Sequence, residues 1–405
     1  MTTTKPNPSQ QAFLDKALAA GVNPQFFGNY LPEIKFQEEK PNLKKPTIAY
    51  IHTGGTLAMV PSKSADGILS FDGAIDITKV ISVADSVCNI RSRYNIIGIY
   101  LSNIDSKEVK PDLWTALGAT IKTMYEDVDG VVIGHGTHTL EYTSAATAFA
   151  LRNVAIPVVF TASQIPILGF PGSDGLANLT GSMEIAAHAD LAEVVAYANG
   201  QIFRGTRVTK KNDQRLDVFE ARVTGPCGYF TAAGIELLSG TRRRGSKQKY
   251  ELIFQPKFNP SITTLRLSPG LNFEQIQQII ESQKDVGLIL ETYGSGAIPR
   301  ELVHVLTAQI HKGFPIFLTS SCAESGISPK MEQHDEDAKR AAAAGIVTAK
   351  DMSTASATVK LMNIMAQFGQ YAREWNPEIL RTVIAEMVTK NYAGEISINR
   401  GSEDY

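Results

Sequence analysis

The chain has 405 residues, 43% of them hydrophobic and 20% charged. That is ordinary globular composition and excludes a disordered or collagen-like chain. The 39 Lys and Arg against 41 Asp and Glu leave a net charge of −2, so no global basic field invites nucleic acid. No apolar run approaches the roughly 18 residues that would make a membrane span, so no membrane partner is expected. The polar opening MTTTKPNPSQQ carries no apolar signal region, and a cytoplasmic chain is expected. Cys88, Cys227 and Cys322 are few and far apart, which fits a reduced chain better than a disulfide framework.

Residues 1–45 are rich in proline. A helix is predicted over Ser9–Ala20, capped by Ser9 and ended by Gly21, with Phe26, Phe27, Tyr30 and Leu31 anchoring the arm. From Pro46 the pattern becomes regular. Strands are predicted at Thr47–His52, Tyr94–Leu101, Gly130–Ile133, Pro157–Thr161 and Ala192–Tyr197. Helices are predicted at Pro111–Tyr125, Leu140–Leu151 and Leu176–Ala187. Short apolar strands alternating with amphipathic helices imply βαβ units and a buried parallel sheet. The alternation stops at SGTRRRGSKQK (239–249), which reads as a solvated linker. It resumes with strands at 250–254, 261–266, 286–291 and 316–320. Helices then follow near 273–282, 299–311, 354–368 and 377–387. The expected fold is a large N-terminal, doubly wound, mostly parallel α/β domain (46–240) and a smaller C-terminal α/β domain (261–400). An extension (1–45) precedes them and a linker (241–260) joins them.

Ligands of open parallel sheets bind beyond the carboxyl ends of the strands. Three turns there draw notice: Thr53-Gly54-Gly55-Thr56, His135-Gly136-Thr137-His138-Thr139, and the basic turn Phe203–Lys211. Each alone is weak. TGGTLAM lacks the third glycine of a dinucleotide fingerprint, and no P-loop pattern occurs anywhere. His135 and His138 have no third ligand at a recognised spacing, so no metal or other cofactor is expected. Taken together the turns offer more. A threonine beside a desolvated lysine makes a usable nucleophile–base pair, and backbone N–H groups of glycine turns hold an oxyanion. That combination suits acyl transfer from an amide.

The stretches IHTGGTLAM (51–59), DGVVIGHGTHTLEYTSAA (129–146), PVVFTASQIPI (157–167), SDGLANL (173–179), FRGTRVTKKN (203–212), ETYGSGAIP (291–299), LTSSC (318–322) and AAGIVTAKDMSTASATVKLM (343–362) resemble the bacterial-type L-asparaginases, most nearly the type I cytosolic enzymes. They also resemble the D-type subunit of the archaeal amidotransferases. The resemblance runs from about residue 47 to about residue 395. It implies Thr56 as nucleophile, with Thr137 and Lys210 as the second catalytic pair. It implies Ser106 as the holder of a substrate carboxylate, and Gly55 with the backbone near Thr137, at Gly136, as oxyanion donors. It further implies a homodimer or homotetramer, with Tyr293–Ala297 of one chain near Thr56 of its neighbour.

Three departures from the family pattern follow. His138 stands where the resemblance places an Asp that orients the Thr–Lys pair and receives the substrate's α-ammonium. Lys107 stands where a polar substrate residue is usual. The segment Pro61–Phe71, which carries a catalytic Tyr in the family, has Ile68 at that place and no tyrosine at all. His138 is itself a candidate proton acceptor, because imidazole titrates near neutrality. The expectation is an amidohydrolase acting on a side-chain amide, L-asparagine or a derivative. The alternative is an impaired asparaginase-fold protein that binds rather than turns over. The loss of the carboxylate at 138 predicts poor hydrolysis of free L-asparagine, and a gain on His138→Asp.

Overall fold

In a computed structural model, the chain divides into two compact units: Met1–Ala221 with Gly225–Pro256, and Arg222–Thr224 with Lys257–Tyr405. The structure describes residues 5–38, 40–63, 69–168, 171–282, 287–311, 313–322, 324–327, 336–368 and 376–397.

The first unit is built on a nine-stranded sheet. Across it run Glu33–Phe36, Asn95–Ile104, Thr47–Gly54, Gly130–Gly134, Val158–Thr161, Val194–Ala198, Gln201–Arg204, Gly228–Thr231 and Gly234–Leu237. The five strands from Asn95–Ile104 to Val194–Ala198 are mutually parallel. Both flanks are antiparallel. Gly130–Gly134 and Val158–Thr161 are buried along their whole length, as strands covered on both faces must be. On one face Ile48, Tyr50, Val132 and Val159 pack with Ile81, Leu179 and Met183 from helices Ile77–Cys88 and Gly175–His188. The order also locates a switch point. Strand Thr47–Gly54 lies between Asn95–Ile104 on one side and Gly130–Gly134 on the other. The chain therefore leaves these neighbours in opposite directions, and their carboxyl ends open one crevice.

The N-terminal arm belongs to this unit. Its helix spans Pro8–Ala19 and is capped by Asn7, not Ser9, because the Asn7 side chain accepts from the Gln10 N–H at 2.9 Å. Phe27 is fully buried and meets Phe13 edge-on at 5.8 Å. Glu33–Phe36 then adds an edge strand that composition did not reveal.

The basic stretch also differs from expectation. It is a strap and not a solvated linker. The Arg242 guanidinium donates to Ala192 O at 2.8 Å, Asn153 Oδ1 at 2.9 Å and Val154 O at 2.9 Å. Arg244 donates to Ala186 O at 2.8 Å, and the Lys247 ammonium to Val128 O at 2.9 Å. These cations satisfy backbone carbonyls that would otherwise be buried unpaired.

The second unit carries a four-stranded sheet in the order Ile262–Arg266, Gly287–Thr292, Ile316–Ser320, Val347–Thr348, all parallel. Alternate residues feed two cores, as the twofold period of a strand requires. Leu288, Leu290 and Leu318 face Leu302, Leu306 and Ile276. Ile289 and Phe317 face Leu361, Ile364 and Ile384. Among the described residues no helix is long and apolar enough to cross a membrane.

Candidate active site

The site grows from the three strand ends at the switch point. Thr53 Oγ1 donates to Gly134 O at 2.9 Å, and Ser102 Oγ donates to Thr53 O at 2.7 Å, so one threonine ties all three strands. Beyond it the backbones cross closely. Gly54 and Gly55 have φ of 122° and 90°, values that favour glycine. A Cβ on Gly55 would fall 2.5 Å from Gly136 Cα, and one on Gly136 would fall 2.5 Å from Ser106 Oγ. The two glycine turns and Ser106 thus interlock, and no side chain fits at the first two.

This crossing gathers the expected residues. Thr56 opens a short 3₁₀ turn, Thr56–Ala58, and is partly exposed. Ser106 is buried, accepts from the His138 N–H at 3.2 Å and, through its carbonyl, from Thr139 Oγ1 at 2.7 Å. Thr137 is buried, and Lys210 Nζ donates to its Oγ1 at 2.8 Å. Lys210 lies on strand Val208–Lys210, paired with Phe219–Ala221, where sequence suggested a turn. The pairing fixes a lysine side chain that is only 13% exposed.

A clasp backs the Thr56 turn. The Asp174 carboxylate accepts from the N–H groups of Gln164 (3.1 Å) and Ile165 (3.0 Å) and from Asn178 Nδ2 (3.0 Å). Asn178 donates in turn to Ala162 O at 2.9 Å. The loop so held reaches the Thr56 turn through Ile167 N–H to Leu57 O, 3.1 Å. The SDGLANL stretch therefore works as scaffold.

The two histidines part company. His135 is buried, and its Nδ1–H donates to Gly136 O at 2.7 Å. Burial pushes its pKa down to about 4. Among the described residues its Nε2 has no partner. His138 is half exposed. No group of three metal-ligating side chains is gathered among the described residues. Met59–Lys63 and Leu69–Ala74 pair as a hairpin; Ile68 lies outside the described residues.

Two residues were missed in the sequence, and both are carboxylates beside His138. Asp105 Oδ1 lies 3.9 Å from His138 Nδ1, and Asp213 Oδ1 lies 3.7 Å from His138 Nε2. Asp213 also accepts a short hydrogen bond from Lys210 Nζ. That bond, with the lysine charge, holds the Asp213 carboxyl below its ordinary range. For Asp105, burial raises the pKa, but the backbone and side-chain hydrogen bonds from Lys107 outweigh it and the net shift is downward. Asp105 also pairs with Lys107 Nζ at 3.2 Å. The expected drift toward a basic site is therefore offset. The available signals were faint: Asp105 precedes the short Ser106–Glu108 turn as its cap, and Asp213 follows Lys210 by three residues.

A parallel-sheet switch point carrying a threonine turn, a lysine-bonded second threonine and two glycine-lined backbones defines an α/β enzyme built for acyl chemistry. Residues 47–242 match the family model "Asparaginase, N-terminal", and residues 261–374 match "Glutaminase/Asparaginase C-terminal domain". An L-asparaginase of Thermococcus kodakarensis is 30% identical over 349 residues, covering 85% of this chain and 97% of that protein. The D-type subunit of the glutamyl-tRNA(Gln) amidotransferase from the same organism is 28% identical, covering 90% of this chain and 80% of its own. The solved thermostable L-asparaginase from Thermococcus kodakarensis superposes with a TM-score of 0.74 at 28% identity, covering 87% of this chain and all of its own. The L-asparaginase I of Vibrio cholerae shares the fold, with a TM-score of 0.71 at 24% identity and the same coverage of each chain. The chain belongs to the asparaginase family, and it is an amidohydrolase of that family.

Proposed function

We propose that the protein releases ammonia from a side-chain carboxamide, that of L-asparagine or a close derivative, with Thr56 as nucleophile. The observation that carries this reading is the 2.8 Å bond from Lys210 Nζ to Thr137 Oγ1, beside the interlocked Gly55 and Gly136 turns. The Thr56 hydroxyl attacks the amide carbon, its proton passes to the leaving nitrogen, and the acyl-enzyme forms as the C–N bond breaks and ammonia departs. The Gly55 and Gly136 backbones supply donors for the oxyanion. Water held by Thr137 and the Lys210 ammonium then attacks the acyl carbon, and its proton passes to Thr56 Oγ1 as the ester bond breaks and the acid leaves. Ser106 holds the substrate carboxylate, and Lys107 lies at the rim with Asp105. No nucleic acid or cofactor enters this scheme. Assembly into dimers or tetramers, with Tyr293–Ala297 near a neighbour's Thr56, and a cytoplasmic setting belong to the same reading.

The test is ammonia release from L-asparagine and from N-substituted asparagine amides by the wild type and Thr56→Ala. The variant should fold like the parent and lose at least about a thousandfold in kcat, the scale of losing a covalent nucleophile. Full turnover by the alanine variant would remove Thr56 from the role.

A further inference from the structure

Among the described residues, Lys210 Nζ has two acceptors, Thr137 Oγ1 and Asp213 Oδ1. The same Asp213 oxygen faces His138 Nε2 at 3.7 Å, and the opposite ring nitrogen faces Asp105 at 3.9 Å. The imidazole is thus bracketed by two anions, and the lysine that serves Thr137 is tethered to one of them. A lysine ammonium is a point charge on a flexible stem. With Thr137 as its only anchor it would swing among its rotamers. A second, anionic anchor fixes its direction, because charge-assisted hydrogen bonds are roughly twice as strong as neutral ones.

We propose that Asp213 is a positioning residue for the amidohydrolase reaction: its carboxylate holds the Lys210 ammonium on Thr137. It thereby performs from the loop after Lys210 the orienting task that a histidine at 138 cannot. The proposal rests on the functional reading above, since it gives Asp213 a share in aligning the pair that reading uses. The carboxylate acts through Lys210 and does not react. The His138 ring lies between the two carboxylates. This division explains why a site without a carboxylate at 138 still has its lysine directed at Thr137.

The experiment compares wild type, Asp213→Asn and Asp213→Glu on the full chain. Asn keeps the shape and removes the charge, whereas Glu keeps the charge on a longer stem. With L-asparagine as probe, Asp213→Asn should lower kcat about tenfold to a hundredfold, the range expected when a catalytic group is misplaced by about 1 Å. KM should move less than about threefold, since substrate binding is untouched. Asp213→Glu should recover most of the loss, and thermal unfolding should be the same for all three. An unchanged kcat in Asp213→Asn, or a change confined to KM, would overturn the proposal. So would parallel losses of melting temperature in both variants, which would mark a purely structural role. A readout that needs no turnover keeps this separate from the functional reading. By carboxyl NMR, Asp213 should titrate below the ordinary aspartate range in wild type and return to it in Lys210→Met. An ordinary titration in wild type would break the proposed tether even if the enzyme proves active. Conversely, a depressed titration in a wild type that hydrolyses no carboxamide would leave the tether standing and refute the functional reading instead.

Discussion

His138→Asp restores the carboxylate that sequence alone says the site lacks, and on that ground activity toward L-asparagine should rise. The structure changes the expectation. Asp213 and Asp105 already lie 3.7 and 3.9 Å from the ring that would be replaced. Two unit charges about 3.7 Å apart repel by about 1 kcal/mol in bulk water and about 4 kcal/mol at an effective dielectric of 20. The His138 side chain is 54% exposed and that of Asp213 is 73% exposed, so solvent screening places the penalty nearer the lower figure, about 1–2 kcal/mol. That is about fivefold to thirtyfold in rate. The new carboxylate would also compete with Asp213 for Lys210. His138→Asp alone should therefore bring little or no gain, and the gain should emerge when Asp213→Asn is added. The assay is ammonia release from L-asparagine by wild type, both single variants and the double variant, at low salt and at about 1 M salt, where the Debye length shrinks to about 3 Å. Asp213→Asn should lower activity in the wild-type background and raise it in the His138→Asp background, and the contrast should shrink at high salt. Equal factors in both backgrounds would show that the two positions do not share a charge site, and the electrostatic argument would fail.

Two further expectations concern stability. Lys360 and Glu395 form an ion pair at 2.6 Å with both side chains fully buried, and Lys360 also donates to Val388 O at the end of helix Pro377–Thr389. Lys360→Met should cost about 3–5 kcal/mol in urea unfolding, because it strands a buried carboxylate, and adding Glu395→Gln should recover much of it. A single-variant loss below about 1 kcal/mol would contradict the buried-pair account. His135, held near pKa 4 by burial against an unfolded value near 6.5, is neutral in the native chain, whereas the unfolded chain takes up its proton. Its contribution is complete above about pH 6.5 and is lost as pH falls through about 4, to a total of about 3 kcal/mol. Unfolding free energies at pH 7 and pH 5 should differ more for wild type than for His135→Gln, and equal differences would refute the assignment.

Much of the parallel core was legible because its strands are short apolar runs followed by amphipathic helices. Thr47–Gly54 and Gly130–Gly134 are buried on both faces, and a sequence shows such burial directly as uninterrupted hydrophobicity. The edges were not legible. Glu33–Phe36 is a four-residue strand with only intermediate or exposed positions, and Gly228–Thr231 and Gly234–Leu237 are much the same. Such strands exist because a neighbour offers a ladder, which no local pattern records. The strap at Arg242–Lys247 escaped for a related reason. The cationic side chains of Arg242, Arg244 and Lys247 reach mostly backbone carbonyls, and a carbonyl has no letter in the sequence. At the site, Thr56 and Thr137 could be placed on their turns and Lys210 named though not its strand, but the interlock of Gly55, Gly136 and Ser106 is a matter of 2.5 Å approaches between distant segments. Asp105 and Asp213 read as ordinary turn residues until the fold brings both to one imidazole.

The charge of the site follows from its members. Among the described residues, Lys107 pairs with Asp105 and Lys210 with Asp213. Without a carboxylate at 138, both lysines therefore still have an anionic partner. What changes is where the anion sits. A carboxylate at position 138 would follow a backbone N–H fixed to the buried Ser106 hydroxyl, close to the glycine crossing. Asp213 instead reaches in from an exposed turn, where water and salt weaken its hold. The site keeps an anion to direct Lys210, but holds it from a more solvated position. With a histidine at 138, the anionic partner of Lys210 sits on an exposed turn, and the tether from Asp213 to Lys210 should weaken as salt is added.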